Sequence, residues 1–239
     1  AYPMNGEKAY ATSRMGRIYN RNYYHYTGSI HEQITRIQPF SAQPAYIDLP
    51  LFFDHAGYEE PTQLQKKCRR NIALLEKSLA QKEDPYIYYQ LGKAYSALEE
   101  QETAIEYFQK GLSFDVDPSL YYVQSMVETY GYSLLALKRY EEALFFENIY
   151  DTFAVNADFV FLMGLIYMNN AMFDAAIQQF KKATTFKTCV VDGVNSFKAF
   201  YNIGVIYECS GRTKEATYNY MKCRDFIPAK ARLEELTHA

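Results

Sequence analysis

The chain has 239 residues, and its 28 acidic residues nearly balance 25 basic ones, which gives a net charge of -3. Because charges of both signs are mixed along the sequence, no basic stripe indicates nucleic-acid binding. The first thirty residues do not resemble a signal peptide and no apolar run has membrane-spanning length, so we expect a cytoplasmic protein without a membrane span. The four cysteines lack the paired spacing of a zinc site, and we expect reduced thiols.

Residues 1–60 contain short aromatic runs and turn residues in place of a helical period. Residues 15–26 predict one or two strands with a turn near Asn20–Asn22, and residues 29–34 predict either a strand or the start of a helix. Leu51–Phe53 predicts a further strand. Because so few short strands cannot bury both faces of a sheet, we expect a strand-rich remnant that packs on the helices or has lost a partner preceding Ala1.

A helical period begins at Pro61, and we assign residues 61–84 to a linking or capping helix. Its predicted buried side comprises Leu64, Cys68, Ile72, Leu75 and Leu79. Glu83, Asp84 and Pro85 end this segment and begin the next one.

Four glycines, each followed by an alanine twelve positions later, divide the rest of the chain. The pairs are Gly92 with Ala104, Gly131 with Ala143, Gly164 with Ala176 and Gly204 with Ala216. Small side chains at these positions let two helices cross closely, so each pair predicts a helix–turn–helix unit with the glycine facing the alanine. An internal period in the thirties is typical of a helical solenoid.

This pattern resembles the tetratricopeptide repeat over residues 85–227, with LGKAY, FQKG, YEEAL and MGLIY as matching segments. The resemblance implies a mostly helical fold, a tetratricopeptide-like solenoid of about four repeats, after a short α+β segment. Longer intervals place insertions near residues 115–120 and 187–196, where extra loop length costs little. Residues 228–239 predict a C-terminal cap helix.

In such a solenoid the first helix of each repeat lines a groove. The predicted groove residues are Tyr89, Lys93, Glu128, Tyr132, Phe161, Leu165, Met168, Tyr201, Val205 and Glu208. These side chains are mainly aromatic and aliphatic, with too few cations for a clamp that binds a C-terminal carboxylate. We therefore expect the groove to bind a protein or peptide through an apolar segment, which could also belong to the chain itself.

A second resemblance comes from the order GSIHEQ, HAGY and KKCRRNIALLEKSL ahead of the repeats. This order resembles the C-terminal end of a family 2 glycosyltransferase with an A-type fold. The resemblance implies that His31 and Glu32 line the acceptor side of the active site and that His55 helps to hold a metal diphosphate. For each histidine, a purely structural, hydrogen-bonded role is the alternative.

The same resemblance places the nucleotide-binding half of the enzyme, with its Asp-x-Asp metal motif, ahead of Ala1. The parent enzyme would use a divalent metal and a nucleotide sugar, whereas we expect no cofactor in this chain and no turnover by it alone. The string Asp115-Val116-Asp117 lies between repeats, where a turn and a helix N-cap account for it.

Two functions remain open from the sequence. In the first, the chain is the C-terminal region of a glycosyltransferase whose repeats position a protein or glycan acceptor. In the alternative, it is a stand-alone tetratricopeptide adaptor that mediates protein–protein interaction. A nucleotide-sugar titration of the chain and of a longer parent would separate the two.

Overall fold

The computed structural model describes residues 18–27, 33–37, 47, 49 and 61–238. The chain forms two compact units that divide between Asp115 and Val116. The predicted domain limits at residues 60, 84 and 227 stay predictions.

The first unit contains a short antiparallel hairpin, β1 (Tyr24–Thr27) and β2 (Gln33–Arg36), in which Tyr24 pairs with Arg36. A turn precedes β1, because the Asn20 carbonyl accepts from the Tyr23 amide at 3.0 Å. The predicted turn and a strand after it are therefore confirmed. Residues 33 and 34 belong to a strand, which resolves the alternative left open for them. The strand predicted at Leu51–Phe53 lies outside the described residues.

Three helices follow in the first unit: α1 (Pro61–Leu79), α2 (Pro85–Ala97) and α3 (Gln101–Leu112). The Asp84 carboxylate accepts from the Tyr86 amide at 2.8 Å, and Pro85 occupies the first turn, so both residues favour the start of α2. Ile72 and Leu75 of α1 pack with the fully buried Leu91 of α2. The predicted apolar side of α1 thus joins the repeat core.

The second unit contains the remaining helices, and each of its long helices contacts the next long helix along the chain. Its long helices are α4 (Tyr121–Ala136), α7 (Ala157–Asn169), α8 (Phe173–Ala183), α9 (Phe197–Cys209), α10 (Thr213–Met221) and α11 (Ile227–His238). Between α4 and α7 lie α5 (Tyr140–Ala143), a 3-10 helix (Leu144–Ile149) and α6 (Tyr150–Phe153). Ahead of α4, the Asp117 carboxylate accepts a hydrogen bond from the Ser119 amide at 2.8 Å, so the predicted turn is present. The N-cap position of α4 is Leu120, however, and the predicted aspartate cap is therefore wrong.

Three of the four glycines make room for an aromatic ring of the following helix. The pairs are Gly92 with Phe108, Gly164 with Phe180 and Gly204 with Tyr220, with a ring carbon 2.3, 2.6 and 2.5 Å from where a glycine Cβ would lie. The alanine twelve positions on is buried in each case, but the ring sixteen positions on is the nearest neighbour. Each of these glycines therefore leaves the volume that the ring occupies, and the glycine–alanine contact stays a prediction.

The second repeat departs from this pairing. Sixteen positions after Gly131 lies the exposed Glu147, and a carboxylate cannot occupy an apolar slot without a large desolvation cost. Leu162 of α7 approaches Gly131 instead, and the second helix of this repeat is interrupted by the 3-10 segment. Phe146 is fully buried there and packs its ring 5.5 Å from that of Tyr130. The uniform hairpin predicted for this repeat is therefore wrong.

Replacing Gly164 by alanine tests the packing role of the glycine. Alanine favours a helix by up to about 1 kcal/mol, but its Cβ would overlap the enclosed Phe180 ring, at a cost of about 1–3 kcal/mol. We expect Gly164→Ala to lower the free energy of unfolding in urea by about 1–2 kcal/mol. Gly131→Ala is the matched control and should cost less, because the end of the buried Leu162 side chain can change rotamer more readily than a rigid ring. Equal stability of Gly164→Ala and the wild type would contradict this account.

Candidate functional site

The predicted groove residues do not all lie at an open surface. Tyr89 and Phe161 are only 3% and 5% exposed and therefore contribute to core packing. Lys93 is exposed, and its ammonium group lies 5.2 Å from the centre of the Tyr89 ring. Glu128, Tyr132, Leu165, Met168, Tyr201, Val205 and Glu208 are half-buried. His31, Glu32 and His55, the predicted catalytic and metal-binding residues, lie outside the described residues.

On α9, the C-terminal helix α11 already contacts the predicted groove residues. The Arg232 guanidinium pairs with the Glu208 carboxylate, and the Tyr220 hydroxyl donates to the same carboxylate at 2.7 Å. These contacts hold the pKa of Glu208 below its ordinary value. The Tyr201 ring meets that of Phe226 edge to face at 5.3 Å. This part of the groove face is therefore engaged by the chain itself.

The insertion at residues 187–196 engages the beginning of α7. The Asp158 carboxylate accepts from the amides of Val190 and Val191 at 2.8 and 2.7 Å. Val194 is buried in the same apolar cluster as Phe161. The insertion is thus a packed part of the second unit, attached to the first turn of α7.

The half-buried carboxyl group of Glu128 on α4 lies near the carboxylate of Asp158 on α7. Burial and the nearby charge of Asp158 raise the pKa of Glu128 to about 8, although a hydrogen bond from Asn156 acts in the opposite direction. Burial and both carboxylates also raise the pKa of Tyr132. The Asn156 side chain caps α7 by accepting from the Phe159 amide at 2.8 Å. At neutral pH this arrangement favours a protonated Glu128, which can donate a hydrogen bond.

Apolar side chains at equivalent positions of α4 and α7, two helices in contact, form what we call the α4–α7 strip: Tyr132, Leu135, Leu165 and Met168. All four are half-buried, and they follow Gly131 or Gly164 by one or four positions. Leu165 and Met168 also pack against the core cluster shared by α7, α8 and α9. Leu135 was missed in the sequence analysis, although its spacing from Gly131 equals that of Met168 from Gly164. The strip lies on α4 and α7. Other parts of the predicted groove face are already in contact with the chain itself, because α11 contacts α9 and the insertion contacts the start of α7.

Neither metal binding nor membrane insertion finds support in the described part of the chain. Within residues 18–27, 33–37 and 61–238, no cluster of three histidine, cysteine or acidic side chains could hold a metal ion. Over the same described residues, no helix combines the length and apolar character needed to cross a bilayer.

Comparison with known proteins identifies the repeats. The family model described as Tetratricopeptide repeat matches residues 85–115 and 157–187, which contain the pairs α2–α3 and α7–α8. These two helix pairs therefore match the tetratricopeptide repeat. The other predicted repeats include the interrupted one after α4 and the α9–α10 pair, which keeps the glycine–ring contact. No curated protein matches the sequence.

Solved structures agree with this fold. A crystal structure of MamA has a TM-score of 0.57 at 21% identity, covering 76% of this chain and 99% of that one. YrrB, described as a TPR protein with an unusual peptide-binding site, has a TM-score of 0.58 at 22% identity, covering 71% and 84%. TTC0263, a TPR protein of Thermus thermophilus, has a TM-score of 0.53 at 18% identity, covering 75% and 98%. The predicted tetratricopeptide-like helical fold is confirmed.

The acidic group predicts a dependence of stability on pH. Since the pKa of Glu128 rises from 4.5 to about 8 on folding, the folded state holds the proton more tightly, and stability should fall as pH rises between those values. We expect Glu128→Gln to remove roughly 2 kcal/mol of this decline between pH 5 and 9, which is less than full linkage because the side chain is only half-buried. Urea unfolding at several pH values measures it. Identical pH profiles for wild type and variant would be inconsistent with a raised pKa.

Proposed function

We propose that the chain is a protein-interaction module that binds a peptide segment of a partner protein on the α4–α7 strip. The observation that supports this proposal is the strip itself, where aromatic and aliphatic side chains remain half-buried on neighbouring first helices. Tetratricopeptide repeats are present on the chain, and peptide recognition by a groove needs apolar anchors of this kind. YrrB, which shares the fold, is described as having a peptide-binding site, and the analogy is at the level of fold.

The neighbouring elements limit the length of the bound peptide. Arg232 of α11 pairs with Glu208, and the insertion binds Asp158 through two backbone amides. A ligand that ran along every first helix of the second unit would have to displace both contacts. We therefore propose a short ligand that inserts one or two apolar side chains between α4 and α7.

The acidic group gives the ligand a charge preference. Asp158 is committed to the insertion, whereas Glu128 is protonated near neutral pH because its pKa is about 8. A lysine, an arginine or a free amino group on the peptide would favour the ionised form of Glu128 and form an ion pair with it. The proposed ligand is accordingly an apolar peptide with a basic group at one end.

The adaptor function needs no contribution from the residues assigned to sugar transfer. His31, Glu32 and His55 lie outside the described residues, and neither the matching family model nor the descriptions of the solved structures named above mention sugar transfer. The nucleotide-sugar titration remains the test of that hypothesis. The cytoplasmic location likewise stays a prediction.

Selection from a peptide-display library against the full chain tests the proposed function. We expect the selected peptides to be apolar with a basic residue, and to bind Met168→Glu at least about tenfold more weakly, because a carboxylate would replace an apolar anchor. Met172→Glu is the matched control, since Met172 is 41% exposed in the turn after α7. Binding that survives in Met168→Glu, or that is lost equally in Met172→Glu, would overturn the assignment to the strip.

A further inference from the structure

A separate cleft lies between α8, α9 and α10 of the second unit, with a volume of about 360 Å3. Its apolar lining includes Phe200, Ile203 and Tyr207 of α9, which flank Gly204 on a different side of the helix from Val205 and Glu208. Tyr218 of α10 is 61% exposed at the rim. The cleft is therefore distinct from the α4–α7 strip and presents aromatic surface to solvent.

Three lysines surround this aromatic surface, and all three are exposed: Lys181 of α8, Lys214 of α10 and Lys222 after α10. The Lys222 ammonium lies 4.3 Å from the ring centre of Tyr218 and 4.9 Å from that of Phe200. Contacts with ring faces fix its position but do not neutralise its charge. Among the residues that the structure describes, no carboxylate lies within salt-bridge distance of any of the three lysines, and the charge of Lys214 acts on Glu215 only as a minor contribution to its lowered pKa.

Some other cations of the second unit have such partners. Arg139 pairs with Glu142 at 2.6 Å, and Lys230 pairs with Asp225 at 2.8 Å. The one carboxylate in the cleft lining, Glu215, is bound by Arg212 through two hydrogen bonds of 2.9 and 2.6 Å, which hold the pKa of Glu215 below its ordinary value. The three lysines thus give the cleft an excess of positive charge.

We propose that the α8–α10 cleft binds an acidic peptide segment of a partner protein. Aspartate and glutamate side chains match the cleft in two respects, because their carboxylates pair with the lysine ammonium groups and their methylene groups pack on the aromatic lining. A cleft of about 360 Å3 holds only a few side chains, so the recognised unit is a short acidic run. The charge preference is opposite to that of the α4–α7 strip, and therefore the two sites can be tested independently.

Fluorescence anisotropy with the full chain tests the proposal. The probe is a labelled octapeptide of alternating glutamate and alanine, and the same peptide with glutamine for glutamate is the comparator. Exposed ion pairs each contribute up to about 1 kcal/mol, so we expect the triple variant Lys181→Gln, Lys214→Gln, Lys222→Gln to bind the acidic peptide at least about tenfold more weakly. Binding should also weaken as NaCl rises from about 50 to about 500 mM.

The matched control changes the same net charge elsewhere, in the triple variant Lys66→Gln, Lys77→Gln, Lys82→Gln, whose lysines are exposed in the first unit. Circular dichroism and a thermal melt verify that both variants fold. An equal loss of peptide binding in the control variant would show that the effect comes from net charge and not from the cleft. Equal binding of the glutamine peptide would exclude recognition of charge. Either result overturns the proposal.

Two further measurements make the choice of ligand falsifiable. A charge-reversed triple variant, Lys181→Glu, Lys214→Glu, Lys222→Glu, should bind a lysine–alanine octapeptide and reject the acidic one, and failure to reverse the preference contradicts the site.

A single-stranded RNA oligonucleotide competes for the same cations. RNA that binds through the three lysines more tightly than the acidic peptide would assign the cleft to nucleic acid and overturn the proposal. Loss of binding at the α4–α7 strip would leave these results unaffected.

Discussion

The structure of each regular repeat depends on an aromatic ring that occupies the space above a glycine on the preceding helix. The rings of Phe108, Phe180 and Tyr220 are fully buried in this position. Any side chain at the glycine would overlap the ring, and protein interiors are packed too densely to absorb that volume freely. The contact fixes the distance and rotation of the two helices together, and so determines which residues of the first helix remain available for binding.

The second repeat, which begins with α4, shows what happens when this contact is missing. The sequence spacing identified Gly131 correctly, but Glu147 occupies the position that needs a ring. The backbone changes to a 3-10 helix over Leu144–Ile149, and aromatic contacts around Phe146 and Tyr130 fill the core instead. The sequence therefore predicted the existence and start of the repeat, while the course of its second helix depended on packing with α7, which no local pattern shows.

The candidate binding surface was predictable to a similar extent. The helical period places the residue one position after each glycine on the predicted groove face, which includes Tyr132 and Leu165. Met168, four positions after Gly164, was also predicted, whereas Leu135 at the same spacing from Gly131 was not. The elements that limit this face were not predictable, because they depend on contacts between residues far apart in sequence. Arg232 reaches Glu208 across 24 positions, and the amide of Val190 reaches Asp158 across 32. The α8–α10 cleft could not be predicted from the sequence, because its lysines lie in separate elements that only the fold brings together.

The central claim, that glycine and ring form one packing unit, is tested most directly by a double-mutant cycle in the first unit. Gly92→Ala and Phe108→Leu are measured singly and together by urea unfolding. A smaller residue at 108 should relieve the overlap with the new Cβ, so we expect the double variant to be more stable than the sum of the single effects by about 1–2 kcal/mol. Effects that add within about 0.3 kcal/mol would show that the two positions are independent and would contradict the account.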